Sequence, residues 1–397
     1  MADLRIEGLC KGWDFPVIDR LDLAVEEGEF FVVVGPSGIG KTTLLRLVAG
    51  LERCDAGRIL VGGRDVTALP PYRRNVAMTF ESYALYPHLS VFENIASPLR
   101  AQKRPRSEIE TTVRQVTDML RIHELLERRP GEISGGQKQR TALARTLVAN
   151  PEVYLLDEPI SHLDARIRHE LRQQFHDLEE LRRVATLYVT HDYAEALSLG
   201  DRIGVMGAGG LVQIGTAREL FERPGSLFVA QHLGQPSINV VEAKLRSAPG
   251  DALTCVAATG DGQGGEGLAI PVADAHRAAL LAGGIDTVTL GIRPQFLSVL
   301  ENGATAGAGA HAGASGEAGA GREGQSAPLH GFEFDATVEL YEPLGATGVL
   351  LADAGGVPLT ALTAPDRTFD YGARVTLRLH PETLLYFDPR SGASLVQ

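Results

Sequence analysis

Nine consecutive residues constrain this chain more than any others: Gly35, Pro36, Ser37, Gly38, Ile39, Gly40, Lys41, Thr42 and Thr43. An apolar run, Phe30–Val34, leads into them, and Leu44, Leu45, Leu47 and Val48 follow at helical spacing. Gly35, Gly40, Lys41 and Thr42 fill every fixed place of the G-x-x-x-x-G-K-[ST] phosphate loop. Glycines let the backbone wrap closely, so that its N–H groups point inward at phosphate oxygens. The following helix sets its positive end on the same anion. Lys41 adds a full charge near the β and γ phosphates, and the Thr42 hydroxyl suits Mg²⁺. The pattern predicts an α/β sheet that binds a nucleotide at a strand-to-helix turn.

With 397 residues the chain has room for two domains, each with its own core. Its formal charge is −12, and the basic footprint of a nucleic-acid binder is missing. Cys10, Cys54 and Cys255 lie far apart and match no metal or redox spacing, which fits a reducing cytosol. No apolar run reaches the length of a membrane span and no signal peptide pattern stands at the start. Any membrane role is therefore expected to be peripheral, through a separate membrane partner.

Along the chain, Trp13, the single tryptophan, reads either as a packing residue or as a stacking platform for a base. The first helix is expected to end near Ala49, at Gly50. Strands are expected over residues 58–61 and 76–80. Glu81 follows, and then S-Y-A-L-Y-P-H, whose Tyr83, Tyr86 and His88 suggest either a contact surface or a solvated connection. Residues 91–126 read as helical. I-S-G-G-Q then opens another helix, and Ser134, Gly135, Gly136 and Gln137 make a second anion site or a plain N-cap. A second phosphate site beside a phosphate loop makes sense if two nucleotide sites are built between two subunits.

Residues 153–156 predict a buried parallel strand ending in Asp157-Glu158-Pro159. Such strand ends line the ligand crevice of α/β sheets. Asp157 suits the Mg²⁺ shell, and Glu158 is placed to polarise a water. Ser161-His162-Leu163-Asp164 reads as a turn before a helix carrying Ile167, Leu171, Phe175 and Leu178 on one face. The strand 187–189 should bring His191 near Glu158, with a neutral imidazole donating to the γ-phosphate. Residues 221–233 read as a closing helix. Beyond residue 235 short alternating segments, 239–245, 287–292, 336–341, 348–352 and 374–379, predict a small all-β barrel or sandwich. Residues 303–326 are almost wholly Ala, Gly and Ser with a few charges, and are expected to be a disordered insertion.

The order of phosphate loop, I-S-G-G-Q, Y-L-L-D-E-P, S-H-L-D and T-H-D resembles the ATPase subunits of ABC transporters, over residues 4–235. G-Q-P-S-I-N, L-G-I-R-P and E-P-L-G in the second half resemble the regulatory barrel of the carbohydrate-importer subgroup. The resemblance implies an ABC ATPase domain with a helical subdomain over residues 1–235. A small OB-like (TOBE/MOP-type) regulatory domain is implied over residues 236–397. It implies ATP and Mg²⁺ as ligands, with Trp13 on adenine and the loop 35–43 on the phosphates. Lys41, Glu158 and His191 would be catalytic, with Glu158 the general base, and Thr42, Asp157 and Glu81 would face the metal. Residues 134–137 and Asp164 would meet the nucleotide held by a second cassette, identical or paralogous. Residues 83–88 would contact two permease subunits, with a separate binding protein delivering the cargo. The place implied is the cytoplasmic face of a bacterial inner membrane.

Three positions depart from the family's pattern. Ile133 stands for Leu, Thr42 for Ser, and Glu81 for Gln. The last adds a negative charge near the γ-phosphate, and is expected to alter Mg²⁺ dependence and slow turnover, or to demand a more ordinary partner cassette. Other readings stand beside the sugar importer. They are a polyamine, iron or sulfate importer, a soluble cassette acting on ribosomes or DNA, and a nucleotide-dependent regulator with little turnover.

Overall fold

The computed structural model describes residues 2–161, 163, 165–177, 181, 183–247, 252–257, 267–282, 284–300 and 331–396. The expected insertion at 303–326, and with it His162, Asp164 and Leu178, lie outside the described residues. The chain forms two compact units, Met1–Arg223 and Pro224–Gln397. Residues 224–235, read from sequence as part of the first domain, therefore belong to the second unit.

In the first unit the elements run β1 (Ala2–Gly12), β2 (Pro16–Glu26), β3 (Phe30–Val34), α1 (Lys41–Ala49), β4 (Ala56–Val61), β5 (Arg64–Asp65) and β6 (Val76–Thr79). Then come α2 (Val91–Ala101), α3 (Arg106–Met119), α4 (Gly135–Leu147), β7 (Val153–Asp157), α5 (Ala165–Asp177), β8 (Ala185–Thr190) and α6 (Tyr193–Leu199). β9 (Arg202–Gly207), β10 (Gly210–Gly215) and α7 (Ala217–Glu222) complete it. β3, β7 and β8 are buried at every position, which explains their largely apolar runs. They form the middle of a six-stranded sheet ordered β10-β9-β3-β8-β7-β6, parallel except for β10. A second, antiparallel sheet, β2-β1-β4-β5, shares its apolar core with β3 and α1.

Two helical readings need correction. Residues 91–126 hold two helices and a short 3₁₀ turn, because the chain breaks at Lys103, with φ 59°, and Pro105. The closing helix over 221–233 is split by Pro224-Gly225: α7 stops at Glu222, and α8 spans Leu227–Gln231.

The second unit holds α8, β11 (Asn239–Ser247), β12 (Leu253–Ala257), β13 (Ala269–Pro271), α9 (Asp274–Ala282), β14 (Thr287–Ile292) and β15 (Leu297–Leu300). β16 (Phe332–Pro343), β17 (Gly348–Asp353), β18 (Pro358–Thr363), β19 (Arg374–Leu379) and β20 (Leu385–Phe387) follow. They make two five-stranded antiparallel sheets, β13-β12-β11-β14-β20 and β15-β19-β16-β17-β18, around one apolar core. All five expected segments are strands. α9 was not expected, and its Leu280 reaches the core.

Candidate nucleotide site

The carboxyl ends of the parallel strands converge on the phosphate loop. Gly35 follows β3, Asp157 ends β7, His191 follows β8, and Glu81 stands two residues beyond β6. Sheet register keeps these ends level, since Val34 pairs with Thr190 and Asp157 with Val189. Close packing demands the loop glycines. A Cβ on Gly35 would stand 2.5 Å from the Met206 carbonyl oxygen, and Gly40, at φ 114°, would press 2.8 Å against Val17 Cγ1. Gly40 offers no side-chain cap to α1, so the first-turn N–H groups are open to an anion.

Lys41 is 6% exposed, and its Nζ donates to the Gly35 and Pro36 carbonyls at 2.7 and 2.8 Å. An ammonium carries three donors, so one remains for a phosphate oxygen. Burial lowers its pKa, while the charges of Glu158, Asp157 and Glu81 raise it. Asp157 is buried to 2% exposure. Burial pushes its carboxyl up to about 6; Thr42 and Lys41 oppose that, and Glu81 and Glu158 add to it. Thr42 Oγ1 donates to Asp157 Oδ1 at 3.2 Å. A buried carboxylate beside a hydroxyl is an oxygen pair a hard divalent cation suits.

Glu158 holds φ at 45°, in the left-handed region that a non-glycine residue occupies only under restraint. Its N–H donates to the Val189 carbonyl at 3.0 Å, and its own carbonyl accepts from Gln139 Nε2 and Ser161 Oγ, each at 3.0 Å. The side chain is thereby aimed at His191, whose Nδ1 lies 2.7 Å from Glu158 Oε1. That contact sets His191 beside Glu158, and which atom donates follows from the ring tautomer.

Trp13 lies in the turn between β1 and β2 and is 59% exposed, with Lys11 Nζ 5.2 Å from its ring centroid. An open ring face suits stacking better than the packing alternative. Ser134 caps α4 in a reciprocal box. Its oxygen accepts from Gln137 N at 3.3 Å, and Gln137 Oε1 accepts from Ser134 N at 2.8 Å. Gly135 is exposed, and a Cβ there would meet nothing nearer than Tyr83 Oη at 4.0 Å.

Residues 83–88 are a built loop rather than a loose connection. Arg145 donates to the carbonyls of Ala84 and Tyr83 at 2.7 and 2.9 Å, and its guanidinium lies 5.6 Å from the Tyr86 ring centroid. Asn94, fully buried, accepts from Tyr86 N and donates to the Tyr86, Leu89 and Ser90 carbonyls. Sequence reasoning missed Arg145 and Asn94. It also missed Thr79, whose hydroxyl accepts from Asp157 N at 2.9 Å, and Gln139.

Comparison with known proteins identifies the family. The family model described as ABC transporter matches residues 18–161. The xylose/arabinose import ATP-binding protein XacK of Haloferax volcanii is 37% identical over 406 residues, covering 100% of this chain and 96% of its own. The sn-glycerol-3-phosphate import ATP-binding protein UgpC of Ruegeria pomeroyi is 36% identical over 400 residues, covering 100% of both. Among solved structures, the dimeric bacterial ABC transporter cassette MJ0796 matches 54% of this chain and 99% of its own at 26% identity, with a TM-score of 0.51. The same cassette has been solved as a dimer in a post-hydrolysis state bound to ADP and Pi, with the same coverage and TM-score. With relatives 36% and 37% identical along essentially their whole length, this chain belongs to the family of ABC transporter ATP-binding proteins.

Proposed function

We propose that the chain is the ATP-hydrolysing subunit of an importer for a sugar, polyol or sugar phosphate. The observation that carries this reading is the Glu158–His191 pair, held 2.7 Å apart where the strands carrying Asp157 and the phosphate loop end. Kinship along the whole chain with import ATP-binding proteins for xylose/arabinose and sn-glycerol-3-phosphate supports the cargo class.

Glu158 accepts a proton from water as that water attacks the γ-phosphorus, and ADP leaves with inorganic phosphate as the second product. His191 hydrogen-bonds both Glu158 and a γ-phosphate oxygen. The free N–H of Lys41 and the open backbone of α1 hold the remaining phosphate charge. Thr42 and Asp157 would hold Mg²⁺, which when bound would supply positive charge to offset that of the transferring phosphoryl group. Trp13 stacks on the base.

Ser134, Gly135, Gly136 and Gln137 face the nucleotide of a second copy, as the dimeric state of the similar cassette suggests. Residues 83–88 dock on membrane subunits, and a separate binding protein supplies the cargo. Among the described residues no helix is long and apolar enough to cross a membrane, which fits peripheral attachment through those subunits. The second unit is the regulatory domain.

The test is ATP hydrolysis by the full chain and by Glu158→Gln. The variant should bind ATP as tightly as wild type and lose about 10²–10⁴-fold in kcat. Wild-type turnover in Glu158→Gln would remove Glu158 as the base. Failure of the chain to co-purify with membrane subunits would remove the transport role while leaving the ATPase intact.

A further inference from the structure

Four residues after His191 stands a buried carboxyl with no part in the proposed chemistry. Glu195, in the first turn of α6, is 0% exposed. Its Oε2 accepts from Tyr188 Oη at 2.7 Å and from Thr190 Oγ1 at 2.8 Å. Its Oε1 is buried too and has no hydrogen-bond partner among the described residues. Burial raises the pKa of this carboxyl against the two hydroxyl bonds. Such a group is costly to enclose in a fold.

The geometry around it is specific. Thr190 has one hydroxyl proton, and it goes to Glu195. The same oxygen then accepts from Asp192 N at 3.0 Å. Asp192 Oδ1 in turn accepts from Ala194 N at 2.8 Å and from Glu195 N at 3.3 Å. Thr190 and Asp192, the two neighbours of His191, are thus closed into one ring of hydrogen bonds that begins and ends on Glu195. The His191 side chain is 52% exposed, too open for packing to fix its ring. Its contact with Glu158 depends on the turn that carries it.

We propose that Glu195 is a positioning residue for His191, holding Thr190 and Asp192 so that the imidazole meets Glu158. This rests on the reading of Glu158 and His191 as hydrolytic residues. The test is a double-mutant cycle on the full chain, reading kcat and KM for ATP. Glu195→Met removes both acceptors at similar volume, whereas Glu195→Gln keeps an oxygen that can accept both hydroxyl bonds. Glu195→Met should lower kcat about tenfold or more with KM within about twofold, while Glu195→Gln stays within about twofold of wild type. In a His191→Ala background Glu195→Met should cost nothing further.

Equal losses in both backgrounds, a raised KM without a fall in kcat, or a Gln variant no better than Met would overturn the proposal. If Glu195→Met fails to fold, Thr190→Val carries the same cycle, because it cuts the link to Asp192 and keeps the β-branched shape. A His191→Ala variant with full activity would overturn the hydrolytic reading of His191 itself, and this proposal with it.

Discussion

Two helix N-termini of the first unit, those of α1 and α4, are built on opposite plans. α1 begins behind Gly40, which caps nothing, and Lys41 at its head is enclosed. α4 begins behind Ser134, which caps itself with Gln137, and its Ser134 and Gly135 face outward. One end leaves its donors open and surrounds them with Thr42, Asp157, Glu158 and His191. The other satisfies part of itself and presents a bare, exposed edge. In the proposed function the same helix charge serves two tasks: α1 gathers one chain's own contacts to its nucleotide, and α4 adds a wall to the nucleotide held by a second copy.

Damage to the two ends should therefore separate binding from turnover. Lys41→Ala removes the enclosed charge and leaves the Gly35 and Pro36 carbonyls without their donor. ATP binding and hydrolysis should fall together, with kcat/KM down by about 10²–10³-fold or more. Titration calorimetry checks the binding arm, and an unchanged Kd would break the assignment of the enclosed end. Gly135→Asp should do the reverse. Its side chain has room, and a carboxylate in the first turn favours the helix. The isolated chain should keep its Tm and its ATP affinity, while hydrolysis falls roughly tenfold to a hundredfold because the carboxylate faces the partner's phosphate. Wild-type turnover would mean that α4 faces no nucleotide.

The enclosed end also carries an electrostatic cost that an exposed end avoids. Asp157 ionises near 3.8 when unfolded and at about 6 when folded. The folded chain therefore holds the extra proton across that window, and stability falls as pH rises through it. The cost is complete above pH 6 and absent below 3.8. A difference of that size corresponds to about 3 kcal/mol. Asp157→Asn should raise stability at pH 7 by up to that amount and change little below pH 4, read from urea melts at both values. Equal gains at both pH values would show that burial of charge is not the cause.

Sequence showed the chemistry of the enclosed end plainly, and the reason is local. Lys41, Asp157, Glu158 and His191 each follow or end a largely apolar strand, so composition and spacing place them without tertiary knowledge. Thr79, Gln139, Arg145 and Asn94 carried no such signal. Each acts on a main-chain N–H or carbonyl that only folding brings near, at separations up to 78 residues. In the second unit β13 and β18 escaped for another reason. Both are sheet edges carrying proline, Pro271 and Pro358, which weakens the strand pattern.

Glu81 gives the smallest effect and the finest test of the contrast. It is exposed beyond β6, and its charge raises the pKa of both Lys41 and Asp157. Three carboxylates, Glu81, Asp157 and Glu158, thus face one ammonium. ATP arriving without a cation meets that excess negative charge, whereas ATP with Mg²⁺ arrives partly neutralised. Glu81→Gln should raise metal-free ATP affinity about threefold to tenfold and leave the affinity in Mg²⁺ within about twofold. ATP titrations in EDTA and in Mg²⁺ check the ratio, which reports binding and not turnover. If both affinities move together, Glu81 acts on the fold of its loop. If neither moves, solvent screens it, and the metal preference of the enclosed end belongs to the buried pair Asp157 and Thr42 alone.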